Sequence, residues 1–383
     1  MITKKNLPVL CFAVLFFLLL GPRAALSAEI LVSDQWGYAV DLPEGYVLEE
    51  KSGAERYRFS HELFPVTLQI ALYERAQFPG AVQMLKHVTS QYGSEGPEAP
   101  FTWRFREAAI AQLKFSGGAG WALCLELAGE RGWLVLAVHT AEDKALDMEA
   151  VMISTLDSAA TDHSSWREPG PMTSFAWFPE KETAGTVACG GRTRMVPFNS
   201  VDQDANQAIV NREFSLLTAY LNTPLVYPAW KRYYRVIYRD AWKRIERAAF
   251  VMESCLPETA EEKTAAILSW TQEFTYERDR DGADFMNIPQ AFMTRTGDCD
   301  SRALLMVLLL KQMGVDAILL VSPEFSHALA AVDCPGTGAR FSYEGKDYLI
   351  ADTTAKVAPG RIASDMADPD KWFAVSFPDP ALP

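Results

Sequence analysis

Residues 303–310 are apolar without interruption, and the run on to Met313 puts apolar side chains on every side of a helix. A helix with no polar face has to sit inside a fold, covered all round by other elements. Gly314 ends it. Three strand-like runs follow, 317–321, 327–332 and 348–351, separated by loops that hold Pro323, Pro335, Gly336 and Gly345. The expected unit is a buried helix packed on an antiparallel sheet.

The first 28 residues are of another kind. Lys4 and Lys5 precede residues 7–20, in which only Pro8 is not apolar, and Gly21, Pro22 and the small residues around Ala28 follow. This is the pattern of a secretory signal peptide cut near Ala28. Fourteen helical residues span about 21 Å, short of the roughly 30 Å hydrocarbon core, which argues against a permanent anchor. No later stretch reaches eighteen uncharged apolar residues, so a soluble mature protein, periplasmic or extracellular, is expected. Loss of Lys4, Lys5 and Arg23 takes the net charge from -13 to -16. A surface that acidic disfavours nucleic acid and anionic membrane as partners.

With 383 residues and 49% hydrophobic content the chain can bury two or three cores. Period-two alternation over 38–42, 57–60 and 66–73, a helical pattern over 81–92, further strands at 103–105, 111–115, 120–127 and 133–139, and a helix over 144–156 give an antiparallel α+β domain at 29–160. Residues 161–173 are rich in Asp, Ser, Pro and Gly and read as a linker. A strand-like piece at 186–198 precedes helical spacing over 203–221, 229–253 and 258–274, and the second domain is placed at 174–383. The fold class is therefore α+β in both parts. The stripe of Trp230, Tyr233, Tyr234, Ile237 and Tyr238 is read as core packing. The tail, 357–383, reads as irregular.

Cys299 stands just ahead of the buried helix, in Thr296-Gly297-Asp298-Cys299-Asp300-Ser301. Asp298 suits an N-cap, which puts Cys299 in the first turn, where unpaired N–H groups and the helix dipole favour a thiolate. The dipole alone is too weak. Moving a thiol from about 8.5 to about 4 needs roughly 6 kcal/mol, against about 0.3 to 1 from a helix terminus. An imidazole partner is required, and His327 is the single histidine after His163. Asp352, at the end of the strand over 348–351, is positioned to orient that ring, which completes a nucleophile, base and carboxylate in the order Cys299, His327, Asp352. First-turn amides near Cys299 and Asp300, with the side chains of Gln290 or Asn287, are the oxyanion candidates. Five cysteines remain after signal removal, an odd number. Cys299 has a chemical reason to stay free, while Cys124, Cys189, Cys255 and Cys334 allow up to two bridges or none.

These three blocks resemble the transglutaminase-like superfamily, which is similar in core to papain-like peptidases. Gly297-Asp298-Cys299-Asp300 matches its Gly-x-Cys-x segment opening a helix, His327-Ala328 its His-Ala strand, and Asp352-Thr353-Thr354 its Asp-x-Thr. The match spans 255–356. Leu329 stands where many members carry Trp, and Thr353 where many carry Pro. The resemblance implies thioester chemistry on carboxamides of peptide or protein substrates, cell-envelope peptides among them, ending in hydrolysis or in transfer to a second amine. A secreted binding protein that keeps the fold without activity is the non-enzymatic alternative. The first domain resembles the PsbP-like fold in its aromatic and Leu-Pro-Glu-Gly-Tyr opening, central helix and closing strand run.

Other motifs fail. Residues 277–282 resemble a calcium loop, but position twelve is Ile288 and two arginines intervene. His61, His87, His139 and His163 lack metal-ligand spacing with any cysteine pair, and neither Gly-x-Gly-x-x-Gly nor a P-loop occurs, so no metal and no cofactor is expected.

Overall fold

The computed structural model describes residues 30–179, 181–189, 192–278, 283–380 and 382. The expected signal peptide and most of the loop at 277–282 lie outside them. The protein is mixed α+β, its sheets antiparallel apart from one two-residue parallel pairing.

The first sheet has seven strands: β3 (Tyr46–Ser52), β4 (Arg56–His61), β5 (Val66–Tyr73), β6 (Ala99–Trp103), β7 (Arg106–Phe115), β8 (Gly118–Glu126) and β9 (Trp133–Ala141), in the order 3-4-5-9-8-7-6. Alternation along β9 shows why it is central: Leu134, Leu136 and Val138 enter one core, and Trp133, Val135 and Ala137 the other. Helix α1 (Ala81–Gln91) covers the second face with Met84, Leu85 and Val88, and α2 (Glu149–Asp157) covers the first. Beside this sheet, β1 (Leu31–Ser33), β2 (Tyr38–Val40) and β10 (Ala159–Ala160) form a small sheet of their own.

The second half begins with α3 (Pro171–Ala176) and the hairpin β11 (Glu182–Cys189) and β12 (Arg192–Asn199). Helices α4 (Asp202–Ala219), α5 (Val226–Glu253) and α6 (Ala260–Gln272) follow, then α7 (Ile288–Thr294) and α8 (Cys299–Gln312). Short strands β13 (Thr275–Tyr276) and β14 (Thr296–Gly297) pair in parallel. The last sheet holds β15 (Ala317–Ser322), β16 (His327–Val332), β17 (Arg340–Tyr343), β18 (Lys346–Ala351) and β19 (Phe373–Val375), in the order 17-18-16-15-19. Helix α8 packs on β15 and β16, with α5, α6 and α7 around it. Every residue from 303 to 310 is 0% exposed, as a helix without a polar face requires.

Helix α5 joins the two halves through arginines. Arg232, 2% exposed, donates to the Asp41 carbonyl from Nε and Nη2 at 3.0 and 2.9 Å and to Glu213 Oε2 at 2.9 Å. Arg239 lies over the Trp166 ring, 3.5 Å from its centre, and donates to the Trp166 carbonyl. Residues 161–173 are accordingly packed rather than loose: Asp162 accepts from Ser164 and Ser165, and Trp166 is buried.

Local expectations differ from the structure in several places, the piece at 186–198 being a hairpin of β11 and β12 rather than one strand. The strand expected at 103–105 ends at Trp103: Arg104 and Phe105 form the tip between β6 and β7 at φ 52° and 63°. Strand β17 lies in what reads as a loop, and β19 in the tail, where it adds an edge to β15. Short edge strands need little hydrophobic pattern of their own, because a neighbour supplies the ladder.

Candidate functional site

The chain enters α8 through a loop shaped by Gly297, Asp298 and Arg302. Gly297 has φ +153°, outside the range of most L-residues, and a Cβ there would lie 3.2 Å from that of Ser301. Asp298 caps the helix by accepting from Ser301 N–H at 2.8 Å. Arg302, 2% exposed, fixes the loop from within α8, donating to the carbonyls of Gly297 (2.9 Å), Phe274 (2.9 Å) and Thr353 (3.4 Å). One side chain thus ties the Cys299 loop to the Asp352 loop.

Across from that helix start, His327 opens β16, paired with Ser322 of β15, and Asp352 follows β18, the strand next to β16 on its other side. His327 Nε2 is 3.5 Å from Asp352 Oδ1, which also accepts from Thr354 N–H (2.9 Å) and Thr354 Oγ1 (2.7 Å). The Asp352 carbonyl accepts from Gln272 Nε2 of α6 at 2.8 Å. Trp372 packs edge-on to the His327 ring at 6.2 Å. With Nε2 engaged by Asp352, Nδ1 is the nitrogen left for the cleft.

Cys299 and His327 line one cavity of about 310 Å³, walled by Trp230, Tyr233, Tyr234 and Phe285 and bordered by Asp298 and Asp300. The Ala328 backbone N–H faces the sulfur. A second cavity, about 470 Å³, opens on the other side of His327 and Asp352, between Phe325, Val357, Ile362 and Met366. Cys124, Cys299 and Cys334 are free thiols.

The electrostatics reverse one expectation. Burial pushes the Cys299 thiol well above its ordinary value, and the charges on Asp300 and Asp298 and the bond to Asp300 push the same way, against the Ala328 N–H. The thiol donates to Asp300 Oδ1 at 3.2 Å, so in this arrangement it is held protonated. The first-turn position is outweighed by two flanking carboxylates. Asp298 is itself raised to about 7, by burial first and then by the Asp300 charge. Burial would raise Asp352 too, but hydrogen bonds from His327 and Thr354 outweigh it and bring the carboxyl down to about 2.

Among the oxyanion candidates, Asp300 lines the cleft, its amide in the helix's first turn, whose N–H groups have no acceptor inside the helix. Gln290 does not line it: its side chain accepts from Asn287 Nδ2 at 2.9 Å, and Asn287 serves as N-cap of α7. Tyr234, Arg302 and Gln272 have no site assignment from sequence, and Thr354 enters only as the last residue of the Asp-x-Thr block. Tyr234 belongs to an aromatic stripe that reads as core; it is buried, yet its hydroxyl reaches Asp300 Oδ2 at 2.5 Å.

No family model and no curated protein matches this chain. Among solved structures it is similar to the cyanobacterial PsbP of Synechocystis sp. PCC 6803, at 12% identity over 36% of this chain and 95% of that one, with a TM-score of 0.29. A Bacteroides thetaiotaomicron protein is similar at 8% identity over 86% and 90%, TM-score 0.25. Red sea bream transglutaminase is similar at 10% identity over 78% and 47%, TM-score 0.17. Likenesses this loose carry no argument about activity, and what the site does has to be argued from its own residues.

Proposed function

We propose that this chain is a cysteine-dependent amide hydrolase acting on peptide or protein substrates outside the cytoplasm. Cys299 is the nucleophile, His327 the base and Asp352 the group that orients the ring. The observation carrying this reading is the His327 imidazole: one nitrogen is engaged by Asp352 at 3.5 Å, and the ring lines the cavity that holds the Cys299 sulfur.

In the reaction, Cys299 Sγ bonds to the substrate carbonyl carbon as its proton passes to His327 Nδ1. The oxyanion forms beside the first-turn amides of α8. The C–N bond then breaks, the imidazolium returns the proton to the leaving amine, and a thioester remains. Water, losing a proton to His327, bonds to the acyl carbon and releases the acid and the thiol. A second amine in place of water gives acyl transfer from the same thioester.

The test is turnover of a peptide-amide library with and without hydroxylamine, reading acid and hydroxamate by mass spectrometry. The proposal expects Cys299→Ala to abolish both products and His327→Ala to lower turnover by about a hundredfold or more. Turnover that survives Cys299→Ala overturns it. Hydroxamate in large excess over acid assigns the protein to acyl transfer, and no turnover together with an inert thiol assigns it to binding.

A further inference from the structure

We propose that Asp300 selects the substrate and restrains the nucleophile: its carboxylate holds the Cys299 thiol until a substrate ammonium group displaces it, so substrates carrying a positive charge beside the scissile amide are preferred. This rests on Cys299 and His327 being nucleophile and base.

Both Asp300 oxygens are engaged on defined partners. Oδ1 accepts the Cys299 thiol at 3.2 Å, and Oδ2 accepts the Tyr234 hydroxyl at 2.5 Å, which itself accepts from Trp230 Nε1 at 3.3 Å. The tyrosine, 0% exposed and anchored in α5, sets the carboxylate's direction, while the thiol is the replaceable donor. A thiol is a weak donor, and an ammonium makes a charge-assisted bond of roughly twice the strength of a neutral one.

Among the described residues, no unpaired cation answers Asp300 inside the cavity. Arg278 is the one Lys or Arg among the described lining residues, and it is paired with Asp284. Asp300 itself makes no ion pair among the described residues. Trp230, Tyr233 and Phe285 supply ring faces and edges around the same space, a lining that suits an alkylammonium better than an anion. When an ammonium takes Oδ1, the sulfur loses its acceptor and gains a positive neighbour. The thiol proton can then pass to His327 Nδ1, so that binding of the right substrate and release of the nucleophile are one event.

The experiment measures alkylation of Cys299 by iodoacetamide at pH 7, by peptide mass spectrometry, with n-butylammonium or n-butanol added. Each unit fall in thiol pKa raises the thiolate fraction about tenfold and lowers its intrinsic nucleophilicity about threefold, a net gain of about threefold. The expected result is a gain of at least that size with n-butylammonium and none with n-butanol. Asp300→Asn should start faster by a similar factor and respond to neither. Tyr234→Phe, which loosens the carboxylate but leaves it charged, should start faster and keep part of the response. No gain with n-butylammonium in the wild type, an equal gain with n-butanol, or an undiminished gain in Asp300→Asn overturns the inference. The failure of the catalytic reading is separate, since it is read from His327→Ala.

Discussion

Glu44 is predicted to be a liability at neutral pH. It follows β2, is 2% exposed, and its Oε1 has no hydrogen-bond partner. Burial raises its pKa to about 7, against the pull of Arg232 and Arg235. The folded pKa lies above the ordinary 4.5, so the folded state binds this proton more tightly than the unfolded state does. The cost of ionisation is therefore absent below pH 4.5, grows between 4.5 and about 7, and is complete above that. A shift of about 2.5 units at 1.36 kcal/mol each is about 3 kcal/mol. Glu44→Gln keeps the shape and removes the charge. With an unfolding entropy of about 2.1 cal/mol/K per residue over roughly 350 residues, 1 kcal/mol moves Tm by about 1.3 °C, so the variant should gain about 4 °C at pH 8 and almost nothing at pH 4.5. Calorimetric melts at the two pH values provide the check. A loss of Tm at pH 8, or the same shift at both, would refute the reasoning, since the carboxylate would then be a paired anion that the fold needs.

His61 sets the opposite slope. Its Nδ1 accepts from Leu63 and Phe64 N–H at 3.1 and 3.3 Å, and burial lowers its pKa to about 4. The folded state thus binds the proton less well than the unfolded one, and stability should fall as pH drops from 6.5 through about 4, a slope that His61→Gln flattens in the same melts. Gly297→Ala, placed at φ +153°, should cost about 1 to 3 kcal/mol and lower turnover, measured by denaturant melts and initial rates. Gln272→Ala removes the bonds to the Asp352 and Val357 carbonyls and should cost about 1 to 2 kcal/mol, with kcat falling while KM holds. An unchanged kcat would make Gln272 a stabilising residue without a positioning role.

The buried helix, the strands on either side of His327 and the place of Cys299 at a helix start were legible because each is written in a local pattern. Eight apolar residues in a row, an Asp before them and alternating strands need no distant partner to be recognised. What escaped sequence reasoning lies between distant residues. Tyr234 meets Asp300 across 66 positions, Arg302 meets Thr353 across 51 and Gln272 meets Asp352 across 80. The thiol's protonation is hidden from the sequence for a related reason: Asp298 reads as a cap, while the charge it and Asp300 place beside a buried sulfur depends on how little water reaches the cleft. The turn at Arg104 and Phe105 carries neither Gly nor Asn, so the usual signal of positive φ was missing there.

The most direct test of the central claim is the rate at which iodoacetamide modifies Cys299 in the wild type and in His327→Ala, each with n-butylammonium present to free the thiol from Asp300, compared from pH 6 to 9 by peptide mass spectrometry. A nucleophile that hands its proton to His327 predicts a rate about tenfold or more lower in the variant near neutrality, with the two curves converging at high pH. Equal rates across the whole range, or a faster variant, would contradict it.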